Sequence, residues 1–412
     1  MLLYIHVPFC RQKCRYCAFH SVPLLREDGK GLIENYHKAL LQEMELWAER
    51  VEAKTSGKTP ITSIFFGGGT PSLLDPKHMG SIIENAAKHF DVHPDAEITM
   101  EANPESLGNK ARCRDFLQAG INRLSLGVQS LDDSLLKLVG RPHTAAEAIL
   151  AYATARNAGF ENISLDFIWG LPSQTTSQWL QQVRAIIELG PEHLSAYGLT
   201  LEDGTPLKAM CEAQDQLVGK AETQGDTRLT LADEASQEAM FVQGSELLRS
   251  AGYEHYEISN FAQEDCHCRH NLGYWSGEDY LGLGPAAVSA FYEIGSHKTG
   301  QRRTNPYDHQ AWAKAIEADL HAQTVYDASF AGDIEELTPD IMAEEYIMLA
   351  LRTSRGIVFT EYTAHTGHDF MAQHKDLVHA LCAQGLAIID ERHFTLTTQG
   401  MLASNEIVER FF

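Results

Sequence analysis

Apolar runs rich in β-branched and aromatic residues recur along the first half of the chain, at Leu2 to Val7, Ile61 to Phe66, Glu97 to Glu101, Asn122 to Val128, Ile163 to Ile168 and His193 to Leu199. Between them apolar residues return every three to four positions, over Ile33 to Arg50, His78 to His89, Lys110 to Ala119, Ala145 to Ala158 and Thr176 to Leu189. The first pattern is that of strands and the second that of helices. Repeated alternation of the two predicts a parallel sheet with right-handed crossovers, a partial (β/α)6 barrel two units short of closure. Beyond it, Ala209 to Glu234 is polar and reads as an excursion, and Gly252 to Phe261 alternates like a strand. From about Glu335, helical periods over Met342 to Arg352 and Phe370 to Cys382 precede a hairpin over Ala387 to Leu396. The expectation is an α/β fold, with the barrel and an accessory region over 1–330 and a smaller, mainly helical, winged-helix-like domain over 331–412.

The loop after the first strand carries Cys10, Cys14 and Cys17. Cubane iron-sulfur clusters take four thiolates as a rule, so three nearby cysteines would leave one iron open to a small molecule. Structural zinc, which wants four protein ligands and would need Cys266 or Cys268 as a distant fourth, and buried free thiols are the competing readings. Other unusual residues collect where the strands end, which is where parallel barrels place their chemistry. They are Gly67-Gly68-Gly69-Thr70, Glu101-Ala-Asn103-Pro104, Gly127-Val-Gln129-Ser130 with Arg141 beyond it, Asp166 on the fifth strand, and Thr200 after the sixth. Glycines let a backbone approach a ligand closely. Carboxylates, an amide and a guanidinium supply the acceptors and donors for a polar one.

Composition narrows the classes. The 412 residues exceed what one core usually serves. A formal charge of −23 disfavours nucleic acid, because Lys and Arg are too few to neutralise phosphates. The tail's outline matches a DNA reader, but its helices are acidic where a reader's would be basic. With neither a leader pattern nor an uninterrupted apolar span, a cytoplasmic place is expected, with no transmembrane segment and peripheral membrane contact left open. Eight cysteines in a reducing compartment read as metal ligands or free thiols, with Cys113, Cys211 and Cys382 as packing residues.

The loop Cys-x3-Cys-x2-Cys, with Tyr16 before its last cysteine, resembles that of the radical S-adenosylmethionine (radical SAM) superfamily. There the open iron of a [4Fe-4S] cluster chelates SAM and an electron cleaves it to a 5′-deoxyadenosyl radical. Tyr4-Ile-His6-Val-Pro8-Phe-Cys10, Gly67 to Ser72, Glu101 to Pro104, Arg123 to Ser130 and Asp166 to Thr175 are together similar to the oxygen-independent coproporphyrinogen III oxidase family. The resemblance runs from Tyr4 to about Phe291. It implies that Tyr4, Tyr16, Gly69, Thr70, Glu101, Gln129, Arg141, Asp166 and Thr200 line a SAM pocket, and that an electron donor serves the cluster.

Two departures point to one branch of that family. The oxidases carry an extension before the cluster loop and a cysteine two residues after the third ligand, where this chain has Phe19. The chain also carries His270-Asn271-Leu-Gly-Tyr274-Trp275, which resembles the haem chaperone branch, whose members bind haem and pass it to haem-requiring proteins such as respiratory enzymes. A haem site needs an apolar aromatic slot and an axial donor, roles open to His270, Tyr274 and Trp275. The alternative is plain core packing. The preceding Cys266-His267-Cys268 offers three soft donors, but the polar run before it favours an exposed loop. Coproporphyrinogen oxidation, or methylation or opening of haem, are the enzymatic alternatives, and whether SAM is consumed is left open.

Overall fold

The computed structural model describes residues 1–24, 29–52, 57–215, 229–292, 299–320 and 332–412. Six parallel strands form its centre: β1 (Leu2–Val7), β2 (Pro60–Gly68), β3 (Asp91–Ala102), β4 (Arg123–Gln129), β5 (Asn162–Trp169) and β6 (His193–Gly198). Helices α1 (Gly29–Glu52), α2 (Pro76–His89), α3 (Lys110–Gln118), α4 (Ala145–Ala158), α5 (Thr176–Leu189) and α6 (Pro206–Asp215) follow them in turn. Each of the six expected barrel strands and five expected barrel helices is present, β3 beginning six residues earlier than expected. Residues 216–228 of the expected excursion, and residue 331 at the expected domain boundary, lie outside the described residues.

The strands alternate, and the alternation decides what the barrel can hold. On β4, Leu124, Leu126 and Val128 face the helices and join the apolar core, whereas Arg123, Ser125, Gly127 and Gln129 line the inside. Parallel strands covered on both faces by apolar matter read as continuous hydrophobic runs. Here the inner row is polar on β4, and again on β3 (Glu101), β5 (Asp166) and β6 (His193, Ser195). The barrel therefore encloses a polar chamber instead of a second core.

Flanking strands widen the sheet. The expected single strand at Gly252 to Phe261 is a tight hairpin, β7 (Glu254–Glu257) and β8 (Asn260–Ala262), because Ile258 and Ser259 form a turn; β8 pairs antiparallel with β6. Helix α7 (Glu234–Ser250) packs on α5, and the short α8 (Arg269–Trp275) packs on β2. Beyond β1 the sheet gains a further parallel strand, β9 (Tyr280–Leu283), then antiparallel β10 (Val288–Phe291), β11 (Gly300–Thr304) and β12 (Asp333–Leu337). The order is β12-β11-β10-β9-β1-β2-β3-β4-β5-β6-β8-β7, so the barrel stays open between the two ends. Helix α9 (His309–Leu320) rests on α1. Residues 339–412 carry helices around a three-stranded sheet of Ile357–Val358, His393–Leu396 and Ala387–Ile389, the helix, helix and hairpin outline read from the sequence.

Candidate functional site

The cysteine loop is sewn across the carboxyl ends of the strands. Arg15 N donates to Val139 O (3.0 Å), Gln12 Nε2 to Gly140 O (3.2 Å) and Leu207 N to Arg15 O (2.9 Å). Cys10, Cys14 and Cys17 are free thiols, part-buried at the mouth of the chamber. Two receive donors from the barrel: Arg141 Nη1 reaches Cys14 Sγ (3.4 Å), and Thr70 Oγ1 reaches Cys10 Sγ (3.6 Å). Burial raises the Cys10 thiol above its ordinary value, and the Thr70 hydroxyl opposes that shift. No three thiol, imidazole or carboxyl groups among the described residues converge on one ion. A cubane asks each thiolate for its own corner iron, so three separated thiols on one loop fit it.

The glycine segment brings β2 against the start of this loop. Gly69 N donates to Val7 O (2.8 Å) and Thr70 N to Phe9 O (2.7 Å). A Cβ at Gly69 would stand 2.7 Å from Phe9 O and 2.8 Å from Val7 O, so only glycine allows this approach.

Asn103, which sequence reasoning quoted without giving it a role, ties these parts together. Its Nδ2 donates to Thr70 Oγ1 (3.0 Å), and its Oδ1 accepts from Arg141 Nη2 (2.5 Å), which also donates to Gly127 O (2.8 Å). Arg141 thus spends three donors inside the protein and keeps its Nε without a partner. Gln129 holds a left-handed φ of 67°, rare for a residue with a side chain, at the end of β4.

Deeper in, Glu101 accepts from Gly68 N (3.1 Å), and Asp166 accepts from the hydroxyls of Ser125 (2.7 Å), Ser164 (2.9 Å) and Ser195 (2.8 Å). Removal from bulk water pushes Glu101 up to about 8, with the Asp166 charge adding and the Gly68 N–H opposing. Asp166 is raised for the same first reason, against its three hydroxyl donors. Two such carboxyls form a site that a cationic ligand would complete.

The expected SAM-pocket residues, the three loop cysteines and His270 line one cavity of about 580 Å³: Tyr4, Cys10, Cys14, Tyr16, Cys17, Gly69, Thr70, Glu101, Gln129, Arg141, Asp166, Thr200 and His270. Thr200 stands at the exposed rim, while His270 lies at the far floor. The expected grouping of His270, Tyr274 and Trp275 is split. His270 faces the chamber, Tyr274 borders it, and Trp275 lines a neighbouring cleft of about 730 Å³ with Trp169, Tyr197, Phe241 and Arg352. Residues five apart on a helix point to different sides, which is why the three do not form one slot. The exposed-loop reading of Cys266-His267-Cys268 is corrected at Cys268, which is 0% exposed, with Sγ 3.4 Å from Glu97 Oε1. Glu97 also accepts from Arg269 N (3.1 Å) and His270 N (3.2 Å), drawing the start of α8 inward. Besides Asn103, sequence reasoning missed Arg123, although its parity with Ser125, Gly127 and Gln129 was visible.

An open parallel barrel with a three-cysteine loop over a polar, glycine-bordered chamber defines a radical SAM protein, and the family profile described as "Radical SAM superfamily" matches residues 4–202. A second profile, "HemN C-terminal domain", matches residues 337–403. Similar proteins include the "Radical S-adenosyl methionine domain-containing protein 1, mitochondrial" of Mus musculus, 34% identical over 98% of this chain and 86% of that protein. Another is the "Heme chaperone HemW" of Haemophilus influenzae, 31% identical over 99% of this chain and 97% of that protein. Among solved structures the fold matches coproporphyrinogen III oxidase HemN of Escherichia coli, with a TM-score of 0.76 at 22% identity, over 100% of this chain and 89% of that one. The chain belongs to the coproporphyrinogen III oxidase family of radical SAM proteins, and within it is most like the haem chaperone branch. No helix among the described residues is long and apolar enough to cross a membrane.

Proposed function

We propose that this protein carries haem and hands it to haem-requiring proteins, on a scaffold that also binds a [4Fe-4S] cluster and SAM. Cys10, Cys14 and Cys17 would hold the cluster. Gly69, Thr70, Glu101, Gln129, Arg141, Asp166 and Thr200, with Tyr4 and Tyr16, would surround SAM. When bound, the cluster supplies one electron to SAM and the capacity to form a 5′-deoxyadenosyl radical. Glu101 and Asp166 offer acceptors to the methionyl ammonium and the ribose hydroxyls, Arg141 Nε a donor to the carboxylate, and Gln129 a polar edge. An electron donor is required, and a reducing compartment, cytosol or mitochondrial interior, suits the free thiols. We read residues 331–412 as a second domain beside the barrel.

The observation that carries the reading is the size of the chamber beside the identity of its relatives. Pockets of roughly 300–1,000 Å³ enclose one drug-sized ligand. A chamber of about 580 Å³ therefore takes SAM with little room for a whole tetrapyrrole. The adjacent cleft of about 730 Å³, where Trp169, Tyr197, Phe241, Tyr274 and Trp275 stand among polar side chains, offers aromatic walls of the kind a haem needs.

Anaerobically reconstituted protein, given SAM and reductant with either haem or coproporphyrinogen III, tests this. Stoichiometric haem binding with the porphyrinogen untouched is expected. Vinyl-bearing product together with 5′-deoxyadenosine would overturn the reading and make the protein an oxidase.

A further inference from the structure

At the floor of the chamber, away from the cysteine loop, two groups are left without partners. Arg123 is 2% exposed, yet its Nε has no hydrogen-bond partner, and among the described residues no carboxylate stands within ion-pair distance of its guanidinium. Glu97 and Asp166 act on its charge from beyond that distance, and their oxygens are committed elsewhere. Glu97 accepts from the start of α8, and Asp166 from three serines. Arg141, the other buried arginine of the chamber, by contrast donates three times to the protein. His270 is 1% exposed; its Nδ1 lies 2.8 Å from Ser63 Oγ, and its Nε2 has no partner. In the tautomer in which Ser63 donates to Nδ1, the neutral ring carries its proton on Nε2 and offers a donor. His193, also on the floor, has both nitrogens engaged, with Ser164 Oγ (2.8 Å) and Tyr256 OH (2.7 Å).

A buried cation with unused donors is destabilising unless an acceptor reaches it. A planar guanidinium is matched best by a carboxylate. We propose that Arg123 and His270 form a carboxylate-binding site at the chamber floor, away from the cysteine loop. Tyr4, Phe65 and Tyr274 wall the site, so the carboxylate belongs to a ligand with an apolar body. Two sources share this chemistry: a free small organic acid, or a propionate arm of a tetrapyrrole seated in the neighbouring cleft. That cleft shares Tyr197, Thr200, Asn271 and Tyr274 with the chamber. Only the second source rests on the haem reading.

The test uses the cluster-loaded protein with SAM and two matched pairs of probes. Binding of 3,3,3-trifluoropropionate is compared with that of its amide by fluorine NMR, and haem with haem dimethyl ester by visible titration. In at least one pair the acid is expected to bind ten times more tightly or better. R123Q should abolish that preference, R123K retain part of it, and H270Q weaken it several-fold. The pair that discriminates identifies the source. Equal binding of acid and neutral partner in both pairs by the wild-type protein overturns the proposal, whatever the variants do. So does a preference that survives in R123Q of unchanged melting temperature. Failure of haem and its ester to bind at all would sink the haem reading and leave the trifluoropropionate pair to decide the site.

Discussion

Asn103→Ala removes the amide that joins the two donors facing Cys10 and Cys14. Two hydrogen bonds go: the one from Arg141 Nη2 at 2.5 Å and the one to Thr70 Oγ1 at 3.0 Å. A bond involving a charged group contributes about 1.5–3 kcal/mol and a neutral one about 0.5–1.5 kcal/mol, so the loss is roughly 2–4.5 kcal/mol. At about 2.1 cal/mol/K per residue, a 412-residue chain unfolding as one unit has an unfolding entropy near 0.9 kcal/mol/K. The melting temperature should then fall by roughly 2–5 °C. Thr70 and Arg141 also lose their fixed positions against Cys10 and Cys14, so iron should leave the reconstituted protein faster in the presence of a chelator. Calorimetry and the decay of visible absorbance read the two effects. A variant that melts within 1 °C of wild type and holds its iron equally long would refute the bridging role.

Replacing Cys10, Cys14 and Cys17 together by Ala should abolish bound iron and the broad visible absorbance; their persistence would place the cluster elsewhere. Gly69→Ala pushes a Cβ to 2.7 Å from Phe9 O, and the cysteine loop must shift, at a cost of about 1–3 kcal/mol with weakened SAM binding; unaltered denaturation midpoint and SAM affinity would contradict the close approach. Glu43 on α1 accepts from Gly284 N (2.8 Å), Asn305 Nδ2 (2.6 Å) and Trp312 Nε1 (3.1 Å), and burial pushes it from 4.5 up to about 8 in spite of those donors. Its folded-state value lies above its unfolded one, so its contribution is full below about pH 4.5 and fades as pH rises to about 8, at most roughly 5 kcal/mol. E43Q should show a smaller drop in urea midpoint between pH 5 and pH 9 than wild type, and an equal drop would rule that carboxyl out as the source.

Periodicity by itself determined the six strands and their helices, because an apolar face every second or every fourth residue is a local property of the chain. The cysteine spacing and the residues at the strand ends were legible for a related reason: a parallel barrel puts all those ends on one rim, so their convergence followed once the strands were known. The tertiary structure alone decided which of the polar residues satisfy one another. Glu97 turned inward to cap α8, burying Cys268 from a run that looked like surface loop, because the helix start needed acceptors that lie more than 170 positions earlier in the chain. The same contact set the rotation of α8, sending His270 into the chamber and Trp275 into the outer cleft. Asn103 and Arg123 are the sharper contrast, each one polar residue among many in the sequence. One is a bridge because two partners reach it, and the other is a candidate ligand site because none does. Pairing across the barrel is a property of distances that no local pattern encodes.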